Sequence, residues 1–496
     1  MGQFQHWRVV AGGVRSIVAV IVVMSALLAP GIAAADPPIW DPVATAEGLA
    51  ATVQEAAANP GAMAEITTQD ECTEASGPMA LPAPPQDPFY TPPHPIPRGA
   101  PGTVIRIRPT CVGIQNHKVP YRAWTIMYLT TGALDRKGEP SSFDAEPAVA
   151  TGLVIAPMNR GPRAKRPLVA WAPAQDSNST LVAPSYQVAM GWAPDVALIQ
   201  EVLAQGWAVV LPDYQGPDSA FAAGPLEGHA FLDGIRAAEN LSPLAGLAGA
   251  STPVGMWGGS GGAIAVGWAA ELQPRYAPEL NVSLVAMPDV PGDMASTFNT
   301  INDGYLGPGV AFAAFLGVST AYPELIPESL FNDAGKEVAA LFRATGTNQY
   351  PSGSPLSPRR IEEFLRCGCN PVKDPKRFPG VAKAIDTINL GQHVPTAPLF
   401  ITHSWNDELM PFEDTARLVE KYCDAGATVN FRVLTGTEHI THGFVTWPEI
   451  LANFTARFAG AAPVNSCSLP QNGGIHAPIE PVPIPPPLPP IAGARG

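Results

Sequence analysis

The hydrophobic positions of this chain fall into two kinds of run. Short, nearly continuous apolar runs closed by Gly, Pro or a polar residue suit strands buried on both faces. They occur at Leu168–Trp171, Trp207–Leu211, Val254–Trp257, Val282–Ala286, Pro398–His403 and Val429–Leu434. Upstream, Thr103–Arg108, Tyr121–Thr130 and Ala148–Ile155 alternate or run apolar and also read as strands. Helical stretches separate the later strands: Gly228–Asn240, Gly262–Gln273, the amphipathic Phe412–Ala425 and Gly443–Phe458. Strand and helix in alternation predict an α/β fold, a mostly parallel sheet with helices on both faces. Residues 101–290 and 386–462 form its two parts. Residues 291–385 break the rhythm, read as mainly helical and predict an inserted cap or lid.

The ends behave differently. Trp40–Asn59 reads as a helix with Asp41 at its cap and Pro42 in its first turn. Residues 78–101 are Pro-rich and predict an extended linker or arm, so residues 36–100 form an N-terminal helix and arm. Residues 463–496 form a Pro-rich tail, of low complexity from His476 and expected to be disordered. In residues 1–35, Arg8 and Arg15 precede the apolar run Ile17–Leu28, and Ala33-Ala34-Ala35 precedes Asp36. This pattern predicts a secretory signal peptide cut after Ala35. Pro30 and Gly31 interrupt the run, which is short for a membrane span. The expected location is therefore secreted: extracellular or cell envelope.

Charge and cysteines sharpen this picture. The formal net charge is −14, and residues 1–35 hold two Arg and no acid, which leaves about −16 after cleavage. Such an acidic surface argues against nucleic acid and against electrostatic docking on anionic membranes. All six cysteines (Cys72, Cys111, Cys367, Cys369, Cys423 and Cys467) follow the cut, and an even count outside the cytosol predicts disulfides. Cys367-Gly-Cys369 is too tightly spaced for a usual zinc pair.

The most specific chemical signal is Gly258-Gly259-Ser260-Gly261-Gly262, a G-x-S-x-G nucleophile elbow between an apolar strand and an Ala-rich helix. A serine on so tight a strand-to-helix turn needs flanking glycines, because a Cβ there meets backbone. The turn presents the hydroxyl at a helix N-terminus, where amides point outward. A bare Gly-rich turn is the plain alternative in a chain with 47 glycines. A phosphate-binding P-loop is excluded, since no Lys-Ser or Lys-Thr follows.

A serine hydroxyl needs a base, and the base needs an orienting acid. Downstream lie His393, His403, His439, His442 and His476. His439 follows the strand Val429–Leu434 in a loop before the last helix, the place for a general base; a helix-capping or surface histidine is the plain alternative. Asp407, in Trp405-Asn406-Asp407-Glu408, follows the strand Pro398–His403 at the carboxyl edge of the sheet. Glu408 and Asp414 are its rivals. Ser260, Asp407 and His439 are thus the expected catalytic triad of an α/β-hydrolase fold, with the Gly261 amide as one oxyanion donor. His439 and His442 alone make a poor metal pair, and no metal or organic cofactor is expected.

Several further motifs stand in the order seen in one family. Asp87-Pro88-Phe89-Tyr90, Gly102-Thr103-Val104-Ile105, Pro212-Asp213-Tyr214-Gln215-Gly216, Ser219-Ala220-Phe221-Ala222-Ala223-Gly224 and Leu232-Asp233-Gly234-Ile235-Arg236-Ala237 precede Ser260. Tyr276-Ala277-Pro278-Glu279-Leu280, Asp407-Glu408 and Glu438-His439-Ile440 follow it. Over roughly residues 87–460 the chain resembles the secreted lipases of the LIP family, the group that includes fungal lipase A. The resemblance implies a helical lid, activity on acylglycerols or similar lipid esters, Asp213 in the oxyanion hole, and a disulfide between Cys423 and Cys467. The expected partner is a lipid or other acyl ester substrate, with transient contact at a lipid interface. No nucleic acid and no obligate protein partner are expected. The alternatives are a secreted acyltransferase on the same triad, a peptidase, or a non-catalytic envelope-binding protein.

Overall fold

The computed structural model describes residues 81–113, 120–158, 165–304, 307–345 and 359–467. The helix expected at Trp40–Asn59, the expected signal peptide and the residues beyond Cys467 lie outside them.

A nine-stranded sheet organises the fold. Its strands are β1 (Val104–Pro109), β2 (Tyr121–Thr131), β3 (Pro147–Pro157), β4 (Leu168–Ala172), β5 (Ala208–Pro212), β6 (Val254–Gly258), β7 (Val282–Pro288), β8 (Leu399–Ser404) and β9 (Val429–Leu434). They stand in the order β1-β2-β3-β5-β4-β6-β7-β8-β9. β1, β2, β3 and β5 pair antiparallel, and the run from β5 to β9 is parallel. β4, β5 and β6 are buried at every residue, as continuous apolar runs in a sheet covered on both faces must be. β9, at the edge, alternates buried and half-buried residues.

The helices are α1 (Pro184–Ala189), α2 (Val196–Ala204), α3 (Pro225–Asn240), α4 (Gly261–Tyr276), α5 (Met294–Asp303), α6 (Pro308–Ala321), α7 (Asp333–Thr345), α8 (Pro379–Ile388), α9 (Phe412–Asp424) and α10 (His439–Phe458). Helices α5 to α8 form the expected insertion between β7 and β8. α6 is apolar all round and buried, so it behaves as a core helix. The Asn178 side chain donates to Ala313 O on α6 at 3.0 Å, and the Tyr322 hydroxyl donates to Ala223 O at 2.9 Å. At Gly317 a Cβ would lie 2.2 Å from Phe221 O, so α6 touches the core backbone directly.

Two expectations need adjustment, and the cysteine pairing can be read. The Pro-rich segment, where described, is packed: Asp87 pairs with Arg108 at 2.6 Å and Tyr90 is buried. The last helix begins at His439, four residues early, because Glu438 caps it by accepting from the amides of Ile440 and Thr441 at 2.9 and 3.0 Å. His439 is therefore a first-turn helix residue rather than a loop residue. The cysteine pairs are Cys367–Cys369 and Cys423–Cys467; Cys111 is also disulfide-bonded, and Cys72 lies outside the described residues.

Candidate active site

Ser260 stands between β6 and α4 with φ 54° and ψ −123°, a backbone region that costs a side-chain-bearing residue strain. Its surroundings hold it there. The Ser260 amide donates to Pro288 O at 3.1 Å. A Cβ at Gly258 would come within 2.5 Å of Gly262 O, and one at Gly262 within 2.0 Å of Ala172 O. Backbone packs where these side chains would be, so both flanking glycines are sterically required.

The three expected polar residues meet. Ser260 Oγ is 2.8 Å from His439 Nε2, and His439 Nδ1 is 2.8 Å from Asp407 Oδ2. The carboxylate can only accept from Nδ1–H, so in the neutral ring Nε2 holds the lone pair that faces the serine hydroxyl. Asp407 Oδ1 accepts from the amides of Leu409 and Met410 at 2.9 and 2.8 Å, which fixes the carboxylate. Glu408, its rival, accepts from the His439 amide at 3.2 Å. Asp414 faces away and pairs with Arg417. Burial by itself would lower the His439 imidazole; its hydrogen bond to Asp407 and the charge of Asp407 outweigh that and raise it to about 9. Burial opposes ionisation of Asp407, yet its hydrogen bond to His439 keeps it below the usual carboxylate range.

Asp213 is not at this site. Its amide donates to Thr151 O at 2.8 Å in the sheet, and its carboxylate accepts from the Ser185 amide at 2.7 Å, from Ser185 Oγ at 2.6 Å and from Thr151 Oγ1. Its polar groups are thus spent on β3 and on anchoring α1. Asp176 stands beside the nucleophile instead. It follows β4, has φ 41°, and lies so close to Gly261 that a Cβ there would be 1.8 Å from its Oδ1. Burial raises its carboxyl to about 6, against the pull of His439. Sheet order explains the correction: β4 is the neighbour of β6, and β5, which leads to Asp213, is one strand further out. Gly261 is the first residue of α4, so its amide has no intrahelical carbonyl to donate to.

These groups open into a cavity of about 300 Å³. Ser260, His439, Asp176, Gly261 and Asp289 line its polar side, while Phe298, Val310, Phe315, Val318 and Ile388 of the insertion line the other. Ile440 and Phe444 line it as well and are about half exposed, at 49% and 48%, so they mark its mouth. Among the described residues, one ligand-type atom each of Asp289, His403 and Asp407 lie within 4.8 Å of one another. A cation there would compete with His439 for Asp407. His442 is turned from His439 and sits between Thr402 Oγ1 at 3.0 Å and Thr437 Oγ1 at 3.2 Å.

With this geometry in view, kinship can be judged. Residues 184–466 match the family model described as secretory lipase. The chain belongs to the secretory lipase family. A secreted triacylglycerol lipase of Malassezia furfur is 32% identical over 80% of this chain and 84% of its own length. The solved structure of Candida antarctica lipase A in its closed state is 28% identical, covers 78% of this chain and 90% of that one, and superposes with a TM-score of 0.68. A probable inactive lipase of Mycobacterium tuberculosis is 33% identical over 76% of this chain and 83% of its own length. Family membership by itself thus leaves turnover to be argued from the residues of each member.

Proposed function

We propose that this secretory-lipase family member is a secreted carboxylic ester hydrolase that cleaves long-chain acyl esters, triacylglycerols among them, through an acyl-enzyme on Ser260. The observation that carries the reading is the continuous relay from Ser260 Oγ through His439 to Asp407, two contacts of 2.8 Å, opening into an apolar cavity.

The chemistry follows from the contacts. Ser260 Oγ bonds to the ester carbonyl carbon as its proton passes to His439 Nε2. Asp407 steadies the imidazolium through Nδ1–H. The carbonyl oxygen becomes an oxyanion beside the Gly261 amide and Asp176. A preorganised donor there is worth about 3 kcal/mol of barrier. A carboxyl donates only when protonated; burial has already raised Asp176, and an ester that displaces water raises it further. His439 then protonates the leaving alcohol as the C–O bond breaks, and water repeats the sequence to free the acid and Ser260.

The apolar wall supports an acyl chain as the bound group. Ile440 and Phe444, each about half exposed, give the mouth an apolar rim suited to a lipid–water interface. The net charge of −14 favours a neutral lipid surface over an anionic one. The names of the relatives agree with secretion and with an acylglycerol substrate.

Hydrolysis of p-nitrophenyl esters of graded chain length tests the reading, with Ser260→Ala as the control. Turnover that rises with chain length and drops by about a millionfold in the variant supports it. Turnover that survives Ser260→Ala sinks it, and a preference for acetyl esters would replace the lipase reading with a short-chain esterase.

A further inference from the structure

One buried carboxyl behind the triad has no role in the steps above. β7 lies in the sheet between β6, which leads to the nucleophile, and β8, which leads to the acid. Asp289 is the residue after β7, so it stands at the same sheet edge between Ser260 and Asp407. Its amide donates to Thr402 O at 2.8 Å, and its φ of 50° is one that few residues other than Gly adopt. Its side chain is buried and lines the cavity with Ser260 and His439.

The hydrogen-bond roles around Asp289 Oδ1 can be worked out one by one. His403 Nε2 donates to Met410 O at 3.1 Å, so in the neutral ring Nδ1 is a bare lone pair. That Nδ1 is buried, has no hydrogen-bond partner, and lies 3.9 Å from Asp289 Oδ1. Ser404 Oγ donates to Thr437 O at 2.7 Å and therefore accepts from Thr437 Oγ1 at 3.1 Å. Thr437 Oγ1 then accepts from His442 Nδ1–H, which leaves His442 Nε2 as a lone pair that accepts from Thr402 Oγ1. This second lone pair is 3.7 Å from Asp289 Oδ1. Burial keeps both rings neutral, pushing His442 down to about 3. Asp289 Oδ1 accepts from the Ser404 amide at 3.2 Å and otherwise faces two lone pairs. An ionised carboxylate would be repelled by both, and by the charge of Asp407; a proton on Asp289 removes the repulsion.

We propose that Asp289 is a second acid of the site, held protonated while Asp407 is ionised and ionising in support of His439 when the Asp407 charge is removed. It is a positioning residue, and the proposal rests on the triad reading above. Burial pushes its carboxyl well up; imidazolium at His439 pulls it down, while Asp407 and Glu408 add to the rise. The titratable groups that face it are His403 from β8, His439 and His442 from α10, and Asp407 and Glu408 from the loop after β8.

A double-mutant cycle in the full chain tests this. Where one acid serves such a triad, its loss costs about 10,000-fold in kcat. With Asp289 in reserve, Asp407→Ala costs about a hundredfold, and Asp289→Asn with Asp407→Ala falls at least about tenfold further. Asp289→Asn by itself lowers kcat only about threefold and leaves the His439 limb of the kcat/KM pH profile in place, since an amide replaces a neutral acid. Equal rates for Asp407→Ala and the double variant would overturn the proposal. So would a shift of that limb to lower pH in Asp289→Asn, which would mean the parent carried a charge there. Infrared difference spectra, parent minus Asp289→Asn, should show a protonated-carboxyl band at neutral pH, and its absence overturns the proposal without any Asp407 variant having to fold. The band does not depend on turnover, so it separates failure here from failure of the triad reading, which Ser260→Ala reports.

Discussion

The two walls of the cavity are held by different forces. The polar wall sits on the carboxyl ends of β4, β6, β7 and β8, and directed hydrogen bonds fix nearly every group in it: the Ser260 amide on Pro288, Asp407 on two amides, His439 on Asp407 and Ser260. The opposite wall, from α5, α6 and α8, is held by close packing, with Phe312 of α6 set against Phe331, Phe342 and Phe364 at ring distances of 5.2 to 5.7 Å. Directed bonds tolerate no displacement of the reacting atoms, whereas packed apolar side chains tolerate exchange at constant volume. The polar wall should therefore govern rate and the apolar wall choice of substrate.

Substitutions can break that division. The largest effect is expected at His439→Ala, with kcat down about a millionfold because the relay acts as a unit. Next come the two aspartates. Asp176→Leu should lower kcat about 100- to 1,000-fold, and Asp176→Asn, which keeps a donor, about tenfold. Asp213→Asn should do the reverse, leaving kcat close to the parent value but costing about 1–3 kcal/mol of stability through the unmatched Ser185 and Thr151 donors. Rates and thermal melts of these three variants compare the two positions directly; an Asp213 variant that folds well but is slow would restore it to the oxyanion hole.

The pH profile is the next effect in size. Only neutral His439 can take the serine proton, and its pKa is raised to about 9. In Asp176→Asn, where ionisation of that carboxyl no longer enters, kcat/KM should therefore climb about tenfold per pH unit below that value and level off above it. The smallest effect belongs to the apolar wall. Val318→Trp, on α6, should lower kcat/KM for long-chain esters about tenfold and leave short-chain esters near the parent value. A uniform loss at all chain lengths would mean that the insertion shapes the reacting centre as well.

Much of the polar wall was legible in the sequence because its constraints are local. The glycines around Ser260 are required within a five-residue turn, and chain order then narrows the acid and base to Asp407 and His439. What depends on strand order was not legible. Asp176 and Asp213 each follow a buried apolar strand, and only the crossover that sets β4 beside β6 decides between them. Asp289 was hidden for the same reason, since nothing in Met287-Pro288-Asp289 signals that β7 runs between nucleophile and acid. That α6 of the expected cap also reaches the core backbone was not legible, because an apolar helix reads alike whether it covers a site, packs on the core or does both.

The most direct test of the account is to label the protein with a fluorophosphonate probe and map the adduct by peptide mass spectrometry. A single adduct on the peptide that contains Ser260, lost in Ser260→Ala and strongly slowed in His439→Ala, is the predicted result. Failure of the folded parent to label, or an adduct on another residue with ester turnover intact in Ser260→Ala, would contradict it.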